Sequence, residues 1–328
     1  MNRSERVGPT RRMTLAREGP TMRSPSLVFC AVLLGTSLSL LLTARPPASQ
    51  GAPEYVGPEA CKSCHEAQWE GFQTNPHHRA ELDSSVVAGR VGCEACHGPG
   101  SQHVAAGGDR SAPGFASIRN FKSMSMEDVE GACLNCHQGG EQFHWRNSTH
   151  ARRDVSCLEC HSVHHPKDRG TGALLKAEDT NHLCLTCHKD KRATMARSGH
   201  MPLREGSMDC ADCHNPHGAS AEHQLRAASV NELCASCHAD KRGPFLWEHP
   251  PVRENCLNCH QPHGSNNDKV LAGKRPFLCQ RCHIATRHPS TLYDKPDLVS
   301  NRLFNRSCTN CHSQIHGSNH PSGKTFFR

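Results

Sequence analysis

The chain has 328 residues, of which 35% are apolar and 5% aromatic. This is too few apolar side chains for the two ordinary hydrophobic cores expected at this length, while Cys (21) and His (26) are unusually frequent. The formal net charge is +7, but the seven Arg and two Glu of the first 51 residues contribute +5, so the rest carries only +2. A strongly basic nucleic-acid-binding protein is therefore excluded, and no nucleic-acid partner is expected.

Residues 1–51 are predicted to be a secretory signal sequence. An apolar run over residues 27–44 is preceded by basic residues that include Arg11, Arg12, Arg17 and Arg23, and small and Pro residues follow it. Cleavage is expected between Ala44 and Ala52, with Met13 or Met22 as an alternative start. The run has 18 residues, which is just enough for a membrane span, so an uncleaved anchor remains an alternative. Export is expected in either case.

Twenty of the cysteines form ten pairs, each with two residues between its members and each followed by His. This is the attachment signature of c-type haem, in which two thiols form thioethers and the next His binds the iron. We therefore predict ten covalently attached haems c. The cysteines are Cys61, Cys64, Cys93, Cys96, Cys133, Cys136, Cys157, Cys160, Cys184, Cys187, Cys210, Cys213, Cys234, Cys237, Cys256, Cys259, Cys279, Cys282, Cys308 and Cys311. The proximal ligands are His65, His97, His137, His161, His188, His214, His238, His260, His283 and His312.

Three other uses of paired cysteines fit less well. A zinc ribbon needs two pairs per metal and makes no demand on the following residue. A thioredoxin-like motif occurs once in a βαβ fold, and a disulfide framework gives no reason for the repeated His.

The motifs form five two-motif modules. First motifs begin at Cys61, Cys133, Cys184, Cys234 and Cys279, and second motifs at Cys93, Cys157, Cys210, Cys256 and Cys308. No alternating strand pattern is present, whereas Pro and Gly repeatedly interrupt the chain. The predicted fold is a multihaem cytochrome c of short α-helices and irregular loops.

A second set of histidines recurs with the modules and supplies candidates for the distal ligand of each iron. Those between the motifs are His78, His150, His200, His249 and His288, and those after the second motif are His103, His164, His217, His263 and His316. A His three residues after a proximal His cannot reach the opposite face of the same haem, so His164, His217 and His263 are expected to serve neighbouring haems. Surface or propionate-contacting positions are the expected places of His77, His144, His165, His182, His223 and His320. All ten haems are expected to be bis-His, with no catalytic residue.

The ten motifs, the paired modules and the strings NHLCLTCH, NELCASCH, CHNPHG and CHQPHG together resemble the DmsE/MtrA family of decahaem cytochromes, which includes PioA-like members. The resemblance covers nearly the whole chain after residue 55. It implies two tandem pentahaem halves, here 52–182 and 183–328, around a chain of ten haems. It also implies a periplasmic location at the outer membrane, inside a porin-like β-barrel partner. Electrons would pass between periplasmic carrier cytochromes and an extracellular multihaem cytochrome, reductase or iron.

Three functions compete at this point. The first is an outer-membrane electron conduit, and the second is a soluble periplasmic shuttle. The third is a multihaem reductase, which needs an iron with an open position. Ten regular motifs, each with a candidate second His, favour an electron-transfer protein over an enzyme.

Overall fold

A computed structural model describes residues 51–81, 92–168, 173–283, 307–321 and 323–327. The predicted signal sequence and His288 lie outside these residues. The described parts belong to one compact unit, Gln50–Arg328.

Short helices carry the motifs, as the repeated Pro and Gly predict. In chain order the α-helices are α1 Glu59–Lys62, α2 Glu66–Gln73, α3 Pro76–Glu81, α4 Gly92–His97, α5 Ser101–Ala105, α6 Met126–Leu134, α7 Cys157–Cys160, α8 Thr180–Cys187, α9 Lys189–Met195, α10 Cys210–Cys213, α11 Val230–Ala235, α12 Pro250–Glu254 and α13 Phe277–Gln280. Short 3-10 turns lie between them, including Phe115–Ser117, Glu222–Gln224, Cys256–Asn258, Asp268–Val270, Cys308–Asn310 and Gly323–Thr325. The described residues contain isolated β-bridges but no strand, so the prediction of a helical, strand-free fold is confirmed.

Side-chain caps start the helices of three first motifs. Ser125, Asp179 and Ser229 each accept a hydrogen bond from the backbone N–H three residues later, at the start of α6, α8 and α11. Such caps satisfy amide groups that a helix start leaves free, which matters because helices this short are unstable alone. The predicted boundary between the two halves, at residues 182 and 183, falls inside α8.

Two asparagines join the motifs within a module. Asn181 accepts a hydrogen bond from the backbone N–H of Cys210, and its amide nitrogen donates to the carbonyls of Leu203 and Met208. Asn231 does the same for Cys256 in the next module, with donation to Val252 and Arg253. This explains the Asn of the recurrent strings NHLCLTCH and NELCASCH.

Glycines after the trailing histidines let modules approach closely. Gly218 follows His217 and has φ +106°, and a Cβ there would lie 2.6 Å from the carbonyl oxygen of His144 in the preceding module. Gly264, after His263, has φ +131°, and a Cβ there would lie even closer to the carbonyl oxygen of Thr194 in the preceding module. Only glycine combines this backbone conformation with this approach.

The apolar core of the described residues is small. Its buried members are Phe72, Val129, Trp145, Ala151, Leu174, Leu175, Met195 and Leu278. Large apolar side chains such as Phe143 (71%) and Phe277 (67%) stand exposed. Side chains alone therefore do not complete the interior. Among the helices described, none is long and apolar enough to cross a membrane.

Candidate functional site

The two motifs of every module meet through the first cysteine of each. The thiols of the following pairs interact by hydrogen bonding: Cys61 and Cys93, Cys133 and Cys157, Cys184 and Cys210, Cys234 and Cys256, and Cys279 and Cys308. Contact with Cys157, together with burial, raises the pKa of the Cys133 thiol. The five modules are thus built on the same local arrangement.

Neighbouring modules approach through the second cysteine of each motif. Burial raises the pKa of Cys96, and the thiol of Cys136 in the next module raises it further. In the same way, a thiol of the next module raises the pKa of three other cysteines: Cys187 raises that of Cys160, Cys237 that of Cys213, and Cys282 that of Cys259. Hydrogen-bonded cysteines within modules and electrostatically interacting cysteines between modules therefore alternate, and they relate all ten motifs in chain order.

Eight proximal histidines each face another histidine ring. The pairs, with the distance between ring centres, are His65 and His103 (6.2 Å), His137 and His77 (5.9 Å), His97 and His164 (6.1 Å), His188 and His150 (6.2 Å), His161 and His217 (6.0 Å), His214 and His263 (6.0 Å), His283 and His249 (6.2 Å), and His260 and His316 (6.2 Å).

This separation fits one haem iron between each pair. With metal–nitrogen bonds of about 2 Å, imidazoles on opposite faces of one iron have their centres roughly 6 Å apart. Rings in van der Waals contact would be closer, and a zinc site would gather four ligands. No group of three or more His, Cys, Asp or Glu that could hold a metal ion is present among the described residues. The donor set therefore suits a flat cofactor with two axial ligands.

Comparison with known proteins agrees with this chemistry. The family model described as a doubled CXXCH motif matches residues 200–243 and 249–288. The chain is 41% identical over 280 residues to the multiheme cytochrome MtrA of Shewanella baltica (strain OS185), an alignment that covers 83% of this chain and 81% of that relative.

The chain belongs to the MtrA family of multihaem cytochromes. It is therefore an electron-transfer cytochrome that binds haem c covalently, as its motifs predict.

Four of the five trailing histidines of this family member lie opposite histidines of other modules. Sequence reasoning assigned His164, His217 and His263 to neighbouring haems. The structure places them opposite His97, His161 and His214, the second-motif histidines of the preceding modules. His316 likewise faces His260, whereas His103 faces His65 of its own module.

Two of the middle histidines that the sequence offers as distal ligands, His78 and His200, contact other groups in the structure. His77, not His78, faces His137, while the ring of His78 packs edge-on against Phe72 at 5.7 Å. The reason is helical register, since neighbouring positions in α3 point about 100° apart. His200 binds Glu205 through Nε2 at 2.9 Å, and this hydrogen bond raises the pKa of His200. No contact of His200 with a motif histidine is found among the described residues.

Burial favours the neutral form of six of the paired rings. The pKa values of His77, His164, His217, His249, His263 and His316 are all lowered, first of all by desolvation. A histidine must be neutral to bind a metal, so burial prepares these rings for ligation.

The five second-motif histidines share a feature that sequence reasoning missed. Their Nδ1 atoms hydrogen bond to backbone carbonyls: His97 to Arg119 (2.8 Å), His161 to Ala173 (2.6 Å), His214 to His223 (3.0 Å), His260 to Lys269 (3.0 Å) and His312 to Thr325. No first-motif histidine makes such a bond within the described part of the chain. The signal in the sequence is weak, because any residue can supply a carbonyl.

Proposed function

We propose that the chain binds ten haems and conducts electrons from one end of the row to the other, across the outer membrane. The observation that carries the proposal is the alternation of hydrogen-bonded cysteines within modules and electrostatically interacting cysteines between modules, which relates all ten motifs. Thioethers at these cysteines would hold the edges of successive haems close together. When bound, each haem supplies an iron that accepts and releases one electron.

The residues of the chain hold and orient these groups. Each proximal His would bind an iron through Nε2, and the facing His would close the sixth position. Eight ring pairs support this at eight motifs. Two axial histidines leave no open position for a substrate, so the arrangement favours electron transfer over catalysis.

Two further pairs complete the proposed set. His77, His150 and His249 each face the first-motif His of the next module. His200 has the equivalent place before His238, so we assign it there, which requires its release from Glu205. His288, which lies outside the described residues, is assigned to His312.

The proposed setting is the periplasm at the outer membrane, with a porin-like partner, and the row is proposed to form two pentahaem halves. Periplasmic carrier cytochromes would exchange electrons at one end, and an extracellular multihaem cytochrome, reductase or iron at the other. Support comes from the MtrA relative, which is itself a multiheme cytochrome, and from the predicted export signal.

Detergent extraction of the outer membrane tests the setting. We expect the cytochrome to copurify with a porin-like protein, and its intact mass to equal the processed chain plus ten haems. Recovery only from the soluble periplasmic fraction, without a partner, would identify a shuttle instead. A stoichiometric high-spin ferric signal in electron paramagnetic resonance (EPR) would favour a reductase.

Conduction is tested by removing one haem from the middle of the row. The copurified complex is placed in liposomes with an electron acceptor inside and a reductant outside. Replacing Cys184 and Cys187 by Ala should slow electron entry at least tenfold, because it removes one step from the row. His182→Ala, a change at an exposed neighbouring ring, should leave the rate unchanged. Equal rates for the two variants would exclude a single continuous path.

A further inference from the structure

The backbone that accepts the second-motif hydrogen bonds has an unusual conformation. Ala173 is followed by Leu174 with φ +55°, and Thr325 by Phe326 with φ +55°. His223 (φ +56°) and Lys269 (φ +55°) are themselves in the left-handed region. Among the described non-glycine residues, all those with positive φ except Asp154 belong to these four turns.

Such turns are strained, because a side chain at positive φ crowds its own backbone. The strain is present even at Leu174 and at the β-branched Val270 (φ +50°), where glycine would be the ordinary choice. Strained backbone that recurs at equivalent places indicates a functional constraint. Here the shared result is a carbonyl directed at the Nδ1 of a proximal histidine.

A further backbone hydrogen bond fixes each turn. In each turn, the residue that follows the acceptor of the histidine bond uses its own carbonyl to accept a hydrogen bond from a backbone N–H just after the motif. The N–H groups donate as follows: Ser162 to Leu174, Asn215 to Gln224, Gln261 to Val270, and Gln314 to Phe326. The turn, the motif and the ring are therefore held as one unit. In the first module, Arg119 supplies the carbonyl from an extended segment instead.

We infer that these turns lower the reduction potential of the second-motif haems, so that in the second module the haem of His161 is a weaker electron acceptor than the haem of His137. At two other first-motif haems the facing ring makes an equivalent bond, since the Nδ1 of His103 meets the carbonyl of Phe115 and that of His150 meets the carbonyl of Pro216. The inference rests on the proposed haem attachment. With Nε2 bound to iron, Nδ1 would carry the proton and donate a hydrogen bond to the carbonyl. This increases the electron donation of the ligand, stabilises the ferric iron and lowers its potential.

The contrast is sharpest between adjacent motifs. His137 makes no ring hydrogen bond within the described residues, and the Nδ1 of its facing His77 is buried without a partner. His161, in the second motif of the same module, donates to Ala173 at 2.6 Å. On partial reduction, electrons should therefore occupy the His137 haem before the His161 haem.

Lys269 offers a matched pair of variants. Its side chain is exposed and its backbone nitrogen donates no hydrogen bond among those described. Lys269→Gly removes the side chain but permits the positive φ, whereas Lys269→Pro removes the same charge and fixes φ near −65°. Only the second variant should displace the carbonyl from His260.

Potentiometric titration of the full holoprotein, followed by haem absorbance, provides the readout. In Lys269→Pro, one haem's share of the absorbance change should move to higher potential, while the Lys269→Gly curve should superimpose on that of the native protein. Superposition of all three curves, or an equal shift in both variants, overturns the inference. Val270→Pro and Val270→Gly repeat the test if Lys269→Pro loses a haem.

Two measurements separate the possible failures. Intact mass reports haem attachment in every sample. Absent haems would refute the proposed function, whereas attached haems with unchanged potentials refute only this inference. In the fully reduced native protein, which is diamagnetic, NMR should show slower deuterium exchange at the Nδ1–H of His161 than at that of His137. Equal exchange would overturn the inference without any variant.

Discussion

His77 and His137 face each other with ring centres 5.9 Å apart and ring planes at 83°. They come from different modules, so a haem between them would join helix α3 to the end of the first motif of the second module. The neighbouring ring of His78 packs on Phe72 instead. Adjacent histidines in one helix thus have different surroundings, and this difference can be measured.

His77→Ala should convert one haem per protein to a high-spin form, because it removes the ligand opposite His137. His78→Ala should leave the iron bound by His137 low-spin. EPR of the oxidised proteins, with haem content checked by mass, makes the comparison. A high-spin iron in His78→Ala alone would favour the assignment made from sequence.

Ring orientation should divide the haems into two spectroscopic classes. The rings of His97 and His164 lie within 8° of parallel, whereas those of His77 and His137 are nearly perpendicular. Parallel rings separate the energies of the two iron orbitals that mix with them, and perpendicular rings leave these orbitals nearly equal. We therefore expect rhombic low-spin EPR signals from haems with parallel rings, and strongly anisotropic low-spin signals from haems with perpendicular rings.

The variants His77→Ala and His164→Ala assign these signals. The first should remove intensity from the anisotropic class, and the second from the rhombic class. A single class of low-spin signal in the native protein would contradict the ring angles.

Asn181→Ala should lower the free energy of unfolding by about 1–3 kcal/mol, because it leaves the backbone N–H of Cys210 and two carbonyls without their partner. Asn135→Ala is the control, since Asn135 is exposed, lies inside a motif and makes no side-chain hydrogen bond among the described residues. Guanidinium denaturation followed by circular dichroism gives both values. Equal losses would show that Asn181 does not join the two motifs.

Gly218→Ala should destabilise the protein by about 1–3 kcal/mol through backbone strain alone, and by more if the module contact opens. The added methyl would lie against the carbonyl of His144, and relief of this clash should displace His217 from its place opposite His161. We therefore expect a high-spin fraction together with the lower stability. Gly139→Ala, where a Cβ meets nothing within 4 Å, should change neither.

Acid should weaken the cap of helix α8. The backbone N–H of His182 donates to Asp179 and, with the His182 ring, holds the pKa of this carboxyl below its ordinary value. Because the folded pKa is depressed, the carboxylate stabilises the fold above its unfolded pKa of about 3.9, and this contribution is lost as pH falls through the folded pKa.

Two substitutions separate the charge of Asp179 from its hydrogen bond. Asp179→Asn should keep the cap at neutral pH but lose the acid dependence, whereas Asp179→Ala should cost about 1 kcal/mol at neutral pH. Denaturation midpoints measured between neutral pH and pH 3 test this. Identical pH profiles for the native protein and Asp179→Asn would contradict it.

The sequence by itself determined the cofactor and the class of protein. A Cys-x-x-Cys-His string is local chemistry, because two thiols and an imidazole within five residues reach one haem edge and its iron whatever the rest of the chain does. The short helices also followed from the sequence, since the repeated Pro and Gly residues keep such helices from extending.

The tertiary structure decided which histidine faces which. The choice of His77 over His78 depends on the direction of one helix relative to another module, and sequence spacing carries no such information. The carbonyls that meet His161 and His260 belong to the backbone, so no residue type marks them; only the folded turns show that Ala173 and Lys269 supply the acceptors. Attachment of the haems is therefore encoded locally, while their ligand pairing and electronic differences arise from contacts between segments distant in the chain.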